Sequence, residues 1–297
     1  MRKSNGQVLL ITVIAIAAIV TLVLSVVSRS VIDVRSTAQQ EDSVRAFAAA
    51  ESGIERALVS GIVGQAIISG DNELDNAIYS ATVENLAEGS AEFVHPKQPL
   101  SGDDATVWLM SHDADGNLAC GTGLPCYTGQ SIRVCWGNDN TPSNQADTPA
   151  VEIAVLYDPN PGNGSLDDLA MARTAYDPNA TRRSTNFFLQ LTGNNCIVQG
   201  QTTEFYADID FSADLGINNF TEGALKFIKL RLLYNNSVAH QVGVVASAGA
   251  SFPGQGKTVQ STGTSGDATR KVEVYTLYPD LPTVFDSVVY SPGGITR

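Results

Sequence analysis

The residues best able to do chemistry in this sequence are its four cysteines, Cys120, Cys126, Cys135 and Cys196. Their even number, in a domain that we predict below to lie outside the cytoplasm, indicates two disulfides, for which three pairings exist. Cys120 and Cys126 flank the turn-rich GTGLP loop, so one pairing closes that loop and leaves Cys135 to join Cys196 across strands. A zinc site is the alternative, but the spacing matches no common zinc finger and no histidine lies beside these cysteines.

Two acidic segments resemble calcium-binding loops, HDADGN at residues 112–117 and YDPNPGNGSLDD at residues 157–168. Neither combines a glycine at the sixth position with a glutamate at the twelfth, as calcium loops of the EF-hand type do. A turn cluster is the alternative interpretation, because Pro and Gly are typical turn residues. The weak calcium candidates are Asp158, Asn160, Asp167 and Asp168.

Signatures of catalysis are missing from the sequence. The GQGKT segment at residues 254–258 has Ser251 where a phosphate-binding loop requires its first glycine. The histidines, His95, His112 and His240, are scattered, and no GxSxG motif or other nucleophile signature is present. We therefore expect no enzyme activity, no catalytic residues and no cofactor beyond the weak calcium candidates.

The composition indicates an exported protein with an acidic surface. The formal net charge is −13 and only 16% of the residues are charged. Such a surface repels phosphate backbones and offers no basic stripe, so we expect no nucleic-acid partner. Abundant Ser, Thr, Asn and Gly suit a β-rich exported domain better than a cytosolic enzyme.

The segment of residues 8–27 is apolar except for Thr12, Thr21 and Ser25. As a helix it spans about 30 Å, the thickness of the hydrocarbon core of a bilayer. It is longer than the apolar core of a signal peptide and ends in VVSRSV, a poor cleavage site. We therefore predict a retained membrane helix over residues 8–28 with a cytoplasmic N-terminus, and a removed signal peptide is the alternative.

Helical periodicity continues beyond the membrane segment. Residues 28–62 contain no proline, and apolar side chains recur on one face in the order Val44, Phe47, Ile54, Leu58 and Ile62. This pattern predicts one helix over residues 7–62 whose distal half packs on the rest of the chain. The residues expected at that packing surface are Phe47, Glu51, Gly53, Ile54 and Leu58.

Two members of this predicted surface are not large apolar residues. Glu51 interrupts the stripe, and we expect it to be buried in a structural role, with a place at the edge of the stripe as the alternative. Gly53 is expected to let a strand approach the helix closely.

The remainder of the chain, residues 65–297, reads as short β-strands separated by Gly, Pro, Asn and Asp. The clearest hairpin joins KTVQSTG to ATRKVEVYTLY around the turn TSGD. No strand–helix alternation typical of parallel α/β sheets is present. The predicted fold class is α+β, with a long N-terminal helix, transmembrane in its first half and amphipathic in its second, packed on a mainly antiparallel β-sheet domain.

The N-terminal region resembles type IV pilin-like proteins, and within that family the minor pilins and pseudopilins. The resemblance rests on the basic leader ending at Gly6, the apolar helix that follows at once, and the segment RAFAAAESGIERAL. It covers about residues 1–60, and the β domain matches in architecture alone. It implies a leader of residues 1–6, cleavage by a prepilin peptidase between Gly6 and Gln7, and methylation of the new amino terminus.

The resemblance also implies a location and partners. The protein would be a single-pass membrane protein with an extracytoplasmic head that becomes part of a surface filament or secretion pseudopilus after assembly. Its partners would be other pilins or pseudopilins, contacted through the helix residues Val8, Ile11, Ala15, Ala17 and Ala18. Close packing of the three small alanines would support those contacts, and the alternative is that alanine is merely common in membrane helices. Calcium remains a weak expectation because major pseudopilins hold it in similar loops.

Two departures from the family pattern indicate a minor subunit. The first mature residue is Gln7, where major pilins usually have an aromatic residue. The fifth is Ile11, where they have a glutamate that offsets the amino terminus of a neighbouring subunit. We therefore predict a non-catalytic subunit that initiates, caps or decorates a filament. A pilus-tip adhesin with a surface-binding head and a plain membrane-anchored exported protein are the alternatives.

Overall fold

A computed structural model describes residues 5–68, 76–161 and 169–280 of the chain, with side chains from Leu9 onward. The fold is α+β, as predicted, with a long N-terminal helix packed on antiparallel sheet. The chain divides into two compact units, one formed by Met1–Glu84 with Thr258–Val274 and the other by Asn85–Lys257 with Tyr275–Arg297. The region predicted as one β domain, residues 65–297, therefore contributes to both units.

Helix α1 (Asn5–Ser60) is 56 residues long, and a rise of 1.5 Å per residue gives it a length of about 84 Å. It begins two residues before the predicted start at residue 7, and it ends two residues before the predicted end at residue 62. The helix ends where Gly61 adopts a left-handed conformation with a φ of 60°. The Gly61 N–H donates to the Ala57 carbonyl at 3.0 Å, which satisfies one of the last carbonyls of the helix.

The described residues beyond α1 form fifteen strands and one short helix. In chain order these elements are β1 (Ala66–Ile68), β2 (Ala77–Asn85), β3 (Glu92–Val94), β4 (Asp104–Trp108), β5 (Ser111–His112), β6 (Leu118–Ala119), β7 (Ser131–Asn138), β8 (Ala150–Tyr157), β9 (Ala170–Tyr176), α2 (Ala180–Asn186), β10 (Gly193–Val198), β11 (Gln201–Asp210), β12 (Leu225–Leu233), β13 (Val242–Ala246), β14 (Gly256–Ser265) and β15 (Ala268–Leu277).

The first unit is α1 on a four-stranded sheet with the strand order β1-β2-β14-β15. Strands β14 and β15 form the hairpin predicted from the sequence, and only Gly266 and Asp267 separate them. Tyr79, Ala81 and Val83 of β2 alternate with more exposed residues and face the helix. The sheet side of the interface therefore follows the two-residue period of a half-buried strand.

The helix side of this interface consists mainly of small residues, and Ile54 is its one large buried member among the described residues. The side chains of Ala46, Ala50 and Ala57 are completely buried, and Ala49 is 1% exposed. A Cβ atom added to Gly263 of β14 would lie 2.0 Å from the carbonyl oxygen of Ala46. The backbones of the helix and the strand therefore touch, which only small side chains permit.

The helix also contributes a glycine of its own to the interface. A Cβ atom at Gly53 would lie 2.2 Å from the Ser261 hydroxyl and 2.8 Å from the Tyr79 ring. This confirms the expectation that a strand approaches the helix closely at Gly53.

The second unit contains two antiparallel sheets that share one core. The five-stranded sheet has the order β10-β11-β7-β13-β3, and the four-stranded sheet has the order β4-β12-β8-β9. Phe205 and Trp136 from the first sheet and Ile153 and Leu230 from the second belong to the same buried cluster. The two sheets therefore pack face to face. Strands β5 and β6 form a separate two-stranded ribbon.

Replacing Gly263 with Ala is expected to loosen α1 from its sheet, because the new methyl group would meet backbone atoms that cannot move aside. We expect a loss of about 2 kcal/mol or more in local stability. Hydrogen exchange of the α1 amides from Ala46 to Ala57 measures this loss in the full chain in detergent. Gly254→Ala is the control, since its nearest contact would be at an ordinary 3.8 Å. Unchanged exchange in Gly263→Ala would contradict the packing described.

Candidate functional site

The first half of α1 exposes apolar side chains on every side. From Leu9 to Val27 no side chain is buried, and Ile11 is 63% exposed. Among the described residues, this is the one helix that is long and apolar enough to cross a membrane. Length and composition alone fit either a membrane span or a signal anchor.

The polar side chains within this segment are satisfied by the helix itself. The hydroxyls of Thr12 and Thr21 donate to the carbonyls of Leu9 and Ala18, each at 2.9 Å. An unsatisfied hydroxyl in hydrocarbon costs free energy, so these internal bonds make the segment compatible with lipid or with packed helices.

The residues predicted for processing and assembly all lie on the same helix. Residues 1–4 of the predicted leader lie outside the described residues, and α1 includes Gly6, Gln7 and Val8 in its backbone. The side chains of these three residues also lie outside the description. The remaining predicted assembly residues, Ile11, Ala15, Ala17 and Ala18, are exposed on the helix.

The predicted packing stripe of the second half of α1 is largely wrong. Ile54 is buried at 7% exposure, but Phe47 is 46% exposed and Leu58 is 47% exposed. Glu51 is exposed as well, so the expectation that it is buried in a structural role is also wrong. The physical reason is the close contact at Gly263, which leaves no room for a phenylalanine or leucine between helix and strand.

The buried face of the helix, its small face, is a set of small residues that the sequence predictions did not include. Its members recur at helical spacing in the segment AFAAAESGIERAL, and they are Ala46, Ala49, Ala50, Gly53 and Ala57. A search for small residues at steps of three and four would have found this face, whereas a search for large apolar residues selected a face rotated away from it. The partner glycine, Gly263, lies more than two hundred positions along the chain, so local periodicity carries no signal for it.

Of the three pairings left open by the sequence, the structure has the one that closes the GTGLP loop. Cys120 joins Cys126, with 5.7 Å between their Cα atoms, and closes the GTGLP loop. Cys135 of β7 joins Cys196 of β10, with 5.9 Å between their Cα atoms, although β11 lies between these strands in the sheet. The second disulfide is buried in a small cluster with Val94 and Val198.

The described calcium candidates form a turn. Asp158 is buried, and its Oδ1 accepts a hydrogen bond from the Asn160 N–H at 2.9 Å. Its Oδ2 lies 3.8 Å from Nζ of Lys226, so an ammonium group occupies the place where a cation would be needed. Asp167 and Asp168 lie outside the described residues. This geometry matches the alternative interpretation of the loop as a turn cluster.

One further group of potential metal ligands occurs within the described ranges. It consists of Cys120, Cys126 and Glu222, whose ligand atoms lie within 4.8 Å of one another. Both cysteines are joined in a disulfide, and a disulfide sulfur is not a thiolate ligand. The group therefore provides no metal site in this oxidised form.

The three histidines are all held in the neutral state by burial. Burial is the largest cause that lowers the pKa of His95, of His112 and of His240. His112 stacks on Tyr278 with 3.9 Å between ring centroids and meets Trp108 edge-on at 4.5 Å. A positive charge on His112 would therefore have to form among aromatic rings.

No known family model matches the chain, and no curated protein or solved structure matches it either.

The two disulfides are expected to differ in their contribution to stability because they close loops of different length. In the chain-entropy account, Cys135–Cys196, with a sequence separation of 61, contributes about 4 kcal/mol, and Cys120–Cys126, with a separation of 6, contributes about 2 kcal/mol. Both tryptophans, Trp108 and Trp136, lie in the second unit, so their fluorescence during urea unfolding compares the two double Cys→Ala variants. Equal losses would contradict the expectation.

Stability of the second unit is expected to fall as the pH falls from about 7 to about 5. A histidine with a lowered pKa binds fewer protons when folded than when unfolded, where its pKa is about 6.5. Acid therefore favours the unfolded state, with a slope of up to about 1.4 kcal/mol per pH unit for each histidine. His112→Phe keeps the aromatic packing and should reduce this slope in urea unfolding followed by tryptophan fluorescence. An unchanged slope would exclude His112 as a contributor.

Proposed function

We propose that this chain is a minor pilin or pseudopilin, a non-catalytic structural subunit that initiates, caps or decorates a type IV pilus-like filament. The observation that carries the proposal is the organisation of α1. One uninterrupted helix has an apolar first half exposed on all sides and a second half packed on an antiparallel sheet. The first unit thereby joins an apolar stem to a folded sheet without any linker.

The exposed first half requires a non-aqueous environment. Leaving so many large apolar side chains in water costs about 25 cal/mol per Å² of apolar area, so lipid or other apolar helices must cover them. A bilayer satisfies this requirement before assembly, and neighbouring subunits satisfy it in a filament. The internal hydrogen bonds of Thr12 and Thr21 allow both environments, because neither hydroxyl needs an external partner.

The second half of α1 offers a further contact surface to neighbouring subunits. Val44, Phe47 and Leu58 remain 64%, 46% and 47% exposed while the small face is occupied by the sheet of the same chain. Exposed apolar surface of this kind commonly marks an interface between proteins. In the proposed filament, the helices of adjacent subunits cover these side chains.

The proposed location follows from the same features. The head is extracytoplasmic and the N-terminus cytoplasmic, which agrees with the basic residues Arg2 and Lys3 and with the two disulfides. Disulfides form and persist in oxidising compartments. A minor position in the filament is supported by Gln7 and Ile11, since Ile11 supplies no carboxylate to a neighbouring amino terminus.

The test is N-terminal and intact mass spectrometry of the protein from native membranes and from sheared filaments. We expect a chain that starts at N-methylated Gln7 and is present at low stoichiometry in the sheared material. Gly6→Val should block processing and keep the chain out of filaments, whereas Asn5→Ala, the neighbouring change, should be processed normally. A chain that retains its leader and is absent from filaments would leave a plain membrane-anchored exported protein.

A further inference from the structure

A polar cleft with a volume of about 270 Å³ opens in the second unit beside the end of β7. It lies between the loop that joins β7 to β8 and the loop that joins β12 to β13. The side chains that the cleft offers to a ligand are Asp139, Asn140, Thr141, Asp147, Val238 and His240.

Side chains from outside the β7–β8 loop hold it in place by donating hydrogen bonds to its backbone carbonyls. The Arg182 guanidinium donates to the carbonyls of Ala146 and Thr148 at 3.0 and 2.7 Å. The Trp136 indole donates to the Pro149 carbonyl at 2.9 Å, and Arg182 is itself fixed by an ion pair with the buried Asp177 at 2.7 Å. The loop therefore does not have to order itself when a ligand binds, which favours affinity.

His240 provides a hydrogen-bond donor in the cleft. The side chain is 5% exposed, and its Nδ1 accepts a hydrogen bond from the Asn138 N–H at 3.1 Å. Because burial lowers the pKa of His240, the ring is neutral, and a neutral ring that accepts at Nδ1 carries its proton on Nε2. Nε2 has no hydrogen-bond partner among the described residues and is not sealed off from solvent, so it can donate to a ligand in the cleft.

Two carboxylates provide acceptors. Asp139 and Asp147 are exposed, and neither side chain makes a hydrogen bond or an ion pair within the described ranges. The lining contains no lysine or arginine, so the cleft disfavours anionic ligands such as phosphates. The Thr141 hydroxyl donates to the Asn138 carbonyl at 2.6 Å and thereby remains available as an acceptor.

The spacing of these groups argues against a metal ion. The ligand atoms of Asp139, Asp147 and His240 do not all lie within 4.8 Å of one another, whereas a single ion would require all three to converge. A ligand that contacts all three side chains therefore needs more than one polar group. Val238, which is 47% exposed, and Pro142 add apolar surface for the carbon atoms between those groups.

We infer that this cleft binds a neutral sugar unit of a glycan. A sugar hydroxyl can donate one hydrogen bond and accept another. In the cleft, sugar hydroxyls donate to the carboxylates of Asp139 and Asp147 and accept from the Nε2–H of His240. The C–H face of the ring packs on Val238 and Pro142. The inference does not depend on filament membership, since it concerns the second unit alone.

The test is ligand-observed NMR on the purified full chain in a detergent whose head group contains no sugar. The probes are the methyl glycosides of mannose, galactose and N-acetylglucosamine, and spermidine serves as a cationic probe. We expect at least one glycoside to bind with a Kd on the order of 1 mM or tighter. Asp147→Asn should weaken this binding about tenfold or more, because a charge-assisted hydrogen bond is lost.

Asp115→Asn is the matched control, since it removes the same charge from an exposed loop elsewhere in the second unit and should leave binding unchanged. His240→Phe should also abolish binding, and tryptophan fluorescence would establish that this variant is folded. Three outcomes would overturn the inference. They are failure of all three glycosides to bind, glycoside binding that Asp147→Asn does not weaken, and binding of spermidine in place of the sugars.

Discussion

The contact between the backbones of α1 and β14 at Gly263 determines how the helix is oriented on its sheet. A Cβ atom at Gly263 would overlap the Ala46 carbonyl, and a Cβ atom at Gly53 would overlap the Ser261 hydroxyl. Where the two backbones touch, only alanine and glycine fit, and Ile54 is the one large side chain that the described part of the helix buries in this interface. Dispersion contacts between closely spaced backbones therefore replace the large side chains that usually fill a helix–sheet interface.

This constraint leaves α1 with two apolar surfaces of different kinds. The small face is covered by the sheet of the same chain, while Val44, Phe47 and Leu58 point away from it. The small face is already covered within the chain, so it cannot contact another subunit. The exposed apolar side chains remain available for such a contact, as the proposed assembly requires. In the proposed filament, the open surface continues the exposed apolar segment along the same helix, so that one element supplies both anchoring and lateral contacts.

The sequence predicted the elements of this protein better than the way they pack. The α+β class and the β14–β15 hairpin follow from local patterns, because turn residues and alternation act over a few residues. The cysteine count predicted two disulfides, but it left three pairings open. The prediction of the buried helix face was wrong because it relied on the spacing of large apolar residues. That spacing carries no information about how closely the backbone of a distant strand lies to the helix. The cleft was missed for a related reason, since the loops that carry Asp147 and His240 are distant in sequence and meet only through the pairing of β7 with β13.

The absence of charge from the apolar segment of α1, Leu9 to Val27, limits where the proposed subunit can sit. Between Leu9 and Val27 no side chain is ionisable, and the first charged residue after this segment is Arg29. A buried carboxylate at the position of Ile11 would cost several kcal/mol unless a neighbouring amine paired with it. Without that carboxylate, the helix of the proposed subunit would pass from lipid into packed helices with no change in ionisation, and it would need no charged partner on a neighbouring subunit. A position at the end of a filament, where one neighbour is missing, is therefore compatible with this helix. A helix with a carboxylate at this position would have a buried, unpaired charge there.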